Sequence, residues 1–197
     1  MKNRLGIELL TLLGMPPDQH VRLAAELGCV AVSTALSGVP LSLLGVRDFA
    51  PWPAWSLETD ADLARAFKAA LRETGVHIAL AEGFRIRPDA DVGDRARQLD
   101  LMAEFGARRV NAVGTDPDPA RSDDQFAKLC EMAVARGMTM TIEFAPPNAV
   151  ATLGQALAAA ARVGRPECRI LLDSMHFFRS GATLDDLAAL PPDRIGY

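Results

Sequence analysis

Short apolar runs, each followed by a loop and then by an amphipathic stretch, recur along the chain. They predict strands near Arg4–Leu10, Cys29–Ala35, Val76–Ala81, Arg108–Gly114, Met138–Phe144 and Cys168–Asp173, with a seventh beginning at Arg194. Successive starts lie 25 to 32 residues apart, apart from one interval of 47, which suits a strand–helix repeat of about 30 residues. Helix entries carry start signals. Pro16-Pro17-Asp18 opens one helix, and Thr59-x-x-Asp62, Ser122-x-x-Gln125 and Thr183-x-x-Asp186 resemble capping boxes. Gly28, Gly75, Gly106, Gly137 and Gly164 stand where a helix ends on a left-handed residue before the next strand.

Alternation within the strands separates two α/β architectures. In Thr139–Phe144 the odd positions are polar and the even ones large and apolar. In Cys29–Ala35 the odd positions are small, while Val30 and Val32 are larger. A closed barrel explains both, with even positions facing a ring of helices and odd positions filling a narrow interior that turns polar at one rim. An open doubly wound sheet calls for strands apolar on both faces and a glycine-rich turn after the first strand. Leu10–Met15 holds only Gly14, so that turn is missing. The pattern favours a (β/α)8 barrel.

Composition narrows the class. At 197 residues, 49% hydrophobic and 23% charged, the chain can bury a core without disulfide or metal staples. A net charge of −4 argues against a nucleic-acid partner, and no apolar run of 18 residues exists to cross a membrane. Cys29, Cys130 and Cys168 are far apart and odd in number, which fits reduced thiols and a cytoplasmic setting. Lys2 and Arg4 before Leu5–Leu13 imitate a signal peptide, but Glu8 interrupts the apolar run and no small-residue cleavage site follows.

Length sits less easily with the repeat. Eight units need about 250 residues, whereas this chain holds six and the start of a seventh strand. The expectation is one incomplete TIM-barrel domain over residues 1–197, short of about 60 C-terminal residues.

Two strand ends carry carboxylates after apolar residues: Glu143 in TIEFAPP and Asp173 in ILLDSMHFF. A charge placed there needs a cation, a metal or hydrogen bonds. Neighbouring barrel strands lie about 4.8 Å apart, so both groups can reach one ion. Oxygen donors suit Mg²⁺ or Mn²⁺, and an imidazole shifts the preference towards Mn²⁺, Co²⁺ or Zn²⁺. His176 follows Asp173 by three residues and faces the same mouth. His20, on the first helix, and His77, at the start of the third strand, read as structural. The long loop Leu36–Thr59 carries Trp52 and Trp55, which either cover a pocket and stack on a sugar ring or anchor the loop. Glu82 and Arg85 after the third strand, and Glu8 in the first, lie where substrate contacts could sit, and Arg85, Arg87 or Arg179 could meet a phosphate or carboxylate. Thr115–Pro119, stiffened by its Asp-Pro pairs, is assigned no chemistry.

TIEFAPP, followed about 30 residues later by LLDSMHFFRSG, resembles the xylose isomerase-like TIM-barrel superfamily of sugar (phosphate) isomerases and epimerases. The resemblance implies Glu143 as metal ligand and acid/base, Asp173 as a second ligand, and His176 as a contact to a substrate oxygen. The expected activity is divalent-metal-dependent isomerisation or epimerisation of a sugar, sugar phosphate or polyol, by proton transfer alpha to a carbonyl. Trp52, Glu82 and Arg85 are candidate substrate contacts. The alternatives are a dehydratase or lyase of the same superfamily, or a non-catalytic barrel that binds a ligand or partner. The expected partner is a small carbohydrate-like molecule, and a homo-oligomer is left open. The superfamily's metal site draws two more ligands from its seventh and eighth strands, positions that this sequence does not contain.

Overall fold

The computed structural model describes residues 4–39 and 52–197. Within them the chain alternates strand and helix, as its apolar pattern predicts. The strands are β1 (Gly6–Ile7), β2 (Ala31–Thr34), β3 (His77–Ile86), β4 (Arg109–Gly114), β5 (Thr139–Glu143) and β6 (Cys168–Leu171). The helices are α1 (Pro17–Glu26), α2 (Ala61–Thr74), α3 (Ala96–Glu104), α4 (Pro119–Val134), α5 (Leu153–Val163), α6 (Ser174–Arg179) and α7 (Leu184–Ala189). The strands are parallel and taken up in sequence order, so the class is α/β.

The chain divides into two compact units, one of residues 1–82 with 101–108 and the other of residues 83–100 with 109–197. In the first, β1 pairs with β2 and β2 with β3. Helix α1 packs on β2 and α2, with Arg22 and Glu73 bridging the two helices at 2.9 Å. The Phe67 and Phe105 rings meet edge to face, with centroids 5.2 Å apart. In the second unit, α4 lies on β4, β5 and α5, and buries Ser122, Phe126, Leu129, Cys130 and Ala133. That spacing is the inward stripe of an amphipathic helix.

Several boundaries differ from those predicted. The first strand is two residues long, because Glu8 accepts the Leu10 N–H and starts a 3₁₀ turn over Leu9–Leu12. The third strand runs on to Ile86, so Glu82 and Arg85 stand within it rather than after it. Helix α2 is capped by Asp60, which accepts from the Asp62 and Leu63 amides, not by Thr59. Ser122 lies inside α4, whose true cap is Asp118, and Gln125 accepts the Val92 N–H instead. The Thr183 box forms as expected, and Thr152 with Gln155 makes another at α5 that the sequence reading passed over. All five predicted helix-ending glycines have positive φ.

Asp116 is buried and receives Arg121 through two hydrogen bonds of 2.5 and 2.6 Å, which holds its carboxyl below the usual range. Asp118 accepts from Ala120 and Arg121 amides. Asp118→Ala is expected to cost about 1 kcal/mol, read as a fall of roughly 2–4 °C in Tm.

Ile195 makes a parallel bridge to Ile170, with the Gly196 N–H on Ile170 O at 2.8 Å, where the seventh strand was expected to begin. The ends of the Leu36–Thr59 loop pair through Ser37 and Ser56, and residues 40–51, including Pro40 and Pro51, lie outside the described residues. No helix among the described residues is long and apolar enough to cross a membrane.

Candidate active site

Strand β5 decides where the Glu143 carboxylate goes. Met140 and Ile142 are fully buried on one face, so Thr139, Thr141 and Glu143 share the other. Its neighbour β6 ends at Leu171, paired with Glu143, and Asp173 follows two residues later as the N-cap of α6. Asp173 Oδ1 accepts the His176 backbone N–H at 2.9 Å, which turns the chain from strand into helix and places the imidazole. His176 Nε2 lies 3.9 Å from Glu143 Oε1, beyond a hydrogen bond but within strong Coulombic range. Its Nδ1 is buried with no hydrogen-bond partner.

Glu143, Asp173 and His176, singled out from sequence, therefore gather in the second unit. Arg85, near the end of β3, belongs to the same unit; it is exposed, and its charge acts on Glu143. Trp52 and Glu82 belong to the first unit. Trp52 is half-buried beside Gly14, and Glu82 is half-buried within β3. Trp55 donates its indole N–H to the Gly14 carbonyl at 3.0 Å, so this tryptophan anchors the loop. Also in the first unit, Glu8 takes the Ser33 hydroxyl at 3.5 Å besides capping its 3₁₀ turn. His20 is buried on α1 and His77 opens β3, and burial lowers the pKa of both.

One residue of the cluster was missed. Asn111 on β4 is 2% exposed, and its Nδ2 donates to Glu143 Oε2 at 2.7 Å. Thr141, fully buried on β5, donates its hydroxyl to Asn111 Oδ1 at 3.2 Å. The available signal was an amide within the apolar run Val110-Asn111-Ala112-Val113, a buried polar group that must find partners.

The Glu143 side chain is 17% exposed, and burial holds its carboxyl above the usual carboxylate range. The hydrogen bond from Asn111 and the charge of His176 oppose that shift, Asp173 adds to it, and Arg85 opposes it weakly. A carboxylate so placed gains from a cation or a proton. Among the described residues no three His, Cys, Asp or Glu side chains converge as a ready-made metal cage. The donor chemistry nonetheless fits part of a divalent-ion site. Glu143 ends β5, Asp173 stands two residues beyond the adjacent β6, and the His176 imidazole turns Nε2 towards Glu143.

A family model described as "Xylose isomerase-like TIM barrel" matches residues 21–197. Solved structures agree on the fold. The IOLI protein, whose structure holds a zinc atom, superposes with TM-score 0.74 at 18% identity over 98% of this chain and 70% of that one. A probable 3-DHS dehydratase, AsbF from Bacillus anthracis, gives 0.70 at 17% identity over 96% of this chain and 70% of its own. A D-allulose 3-epimerase from Methylomonas sp. gives 0.63 at 19% identity over 88% of this chain and 64% of that protein. The chain spans only 30% of a further match, a fusion protein. No curated protein sequence matches it.

Proposed function

The chain belongs to the xylose isomerase-like TIM-barrel family, and from that premise we propose that it moves a proton alpha to the carbonyl of a carbohydrate-like substrate, as an isomerase or epimerase. The observation that carries this reading is Glu143: a half-buried carboxylate with one oxygen held by Asn111 and the other towards His176, its pKa raised by desolvation. A base whose pKa is brought up towards the working pH takes and returns a proton efficiently. Both candidate classes occur among the structural neighbours of the chain, an epimerase and a probable dehydratase.

Glu143 accepts the proton from the carbon next to the carbonyl, leaving an enediolate. Returning the proton to the neighbouring carbon, while the substrate hydroxyl proton passes to the former carbonyl oxygen, gives the isomer; delivery to the same carbon from the opposite face, by an acid other than Glu143, gives the epimer. His176, with Nε2 beside Glu143 Oε1, holds a substrate oxygen, and Arg85 offers positive charge to the developing anion or to an anionic substituent. Glu143 and Asp173 would hold a divalent cation, Mn²⁺, Mg²⁺, Co²⁺ or Zn²⁺, whose contribution when bound is to stabilise the oxyanion.

The dehydratase reading starts from the same proton abstraction and expels a β-hydroxyl. His176 favours it as a second reading, since its Nε2 stands where it can protonate a leaving oxygen near Glu143. Incubating the protein with Mn²⁺ and a panel of ketoses, D-allulose among them, in D₂O separates the readings. Deuterium in recovered sugar and its isomers supports proton shuttling. Loss of water from a β-hydroxy ketone or acid, without isomer, supports the lyase. No exchange, no dehydration and no Mn²⁺ binding together make the protein a non-catalytic binding barrel.

A further inference from the structure

The geometry points to Asn111 and Thr141 as positioning residues that fix which oxygen of Glu143 faces its ligand. This rests on the reading of Glu143 as acid/base and cation ligand, and it adds two residues on two strands that the family motif does not include.

An ionised carboxylate only accepts hydrogen bonds, so the Asn111 amide must turn its NH₂ towards Glu143, and at 2.7 Å it does. That leaves Asn111 Oδ1 on the far side, where the Thr141 hydroxyl donates to it at 3.2 Å. The backbone supports the arrangement, because Asn111 and Thr141 are paired across β4 and β5. Glu143 stands two residues beyond Thr141 on the same strand face. Both polar side chains are almost wholly removed from water, so a lost bond is not replaced by hydration, although the Thr141 hydroxyl also has Val110 O at 3.4 Å. The chain of donors ends on Oε2. Oε1, the oxygen 3.9 Å from His176 Nε2, is left for a ligand.

The test is titration of the protein with Mn²⁺, reading free ion by electron paramagnetic resonance, alongside metal-free circular dichroism and melting. Asn111→Ala is expected to weaken Mn²⁺ binding by about 10- to 100-fold, the usual loss when a group supporting a ligand is removed. Thr141→Val is expected to weaken it in the same direction, and Thr141→Ser, which keeps the hydroxyl, to restore the wild-type value. Should Asn111→Ala fail to fold, the Thr141→Val and Thr141→Ser pair decides alone. A folded Asn111→Ala or Thr141→Val that binds Mn²⁺ as tightly as wild type overturns the inference while leaving the proposed function standing. Wild-type protein that binds no Mn²⁺ overturns the metal-dependent reading of the site and the inference with it.

Discussion

Glu143→Gln is expected to lower turnover by about 10²–10⁴-fold and, in metal-free protein, to raise stability at neutral pH. The first effect follows from removing the group that accepts the proton while keeping its shape. The second follows from the buried carboxyl, whose pKa in the fold lies above its unfolded value because burial disfavours the charge. A group of this kind contributes fully to stability below its unfolded pKa. That contribution is lost as pH rises through the folded pKa. Glutamine carries no proton to lose, so the variant's advantage is absent in acid, opens above the ordinary carboxylate range and levels off once the wild-type group is ionised. Thermal melts in chelator from pH 4 to pH 8 should show the variant drawing ahead of the wild type towards the upper end of the range. Added Mn²⁺ should close the gap by stabilising the wild type alone. A wild type that melts above the variant across the whole range, without metal, contradicts the account of Glu143.

Phe126→Ala is expected to cost about 3–5 kcal/mol. The ring is fully buried on α4 and sits over Gly114 at the end of β4. A side-chain carbon at Gly114 would lie 3.1 Å from Phe126 Cζ and 2.6 Å from Val150 Cγ2, so glycine is what lets ring and valine close over the strand. Val150 in turn donates its N–H to Gly114 O at 3.1 Å and accepts from Ala145 at 3.0 Å, which pins the segment leaving Glu143. Removing the ring leaves a cavity under that segment. The expected melting temperature falls by roughly 6–20 °C, and a loss below 1 kcal/mol would show that α4 does not clamp the site.

Much of this was legible in the chain, because its signals are local. Strand alternation in Thr139–Glu143 and the Asp173-x-x-His176 spacing both survive folding: the first sets a face and the second sets a helix cap. What escaped depends on partners distant in sequence. Nothing near Ser122 says that Gln125 will instead take the Val92 N–H, 33 residues earlier, or that Asp118 will cap first. Asn111 has the same character. Its role exists only once β4 and β5 are in register, with Thr141 30 residues and Glu143 32 residues further on. The third strand ran past its predicted end for a related reason. Its predicted end was Ala81, yet Ile86 O is taken by both the Thr115 N–H and its hydroxyl, so the strand is held beyond that point.

The cap on α6 also limits what this part of the chain can tolerate. Only Leu172 separates the last residue of β6 from Asp173, and the helix starts at the very next position. Inserting or deleting one residue between Asp173 and His176 would rotate the imidazole by about 100° around the helix axis and move the amide that Asp173 holds. Length variation is therefore forbidden at this turn.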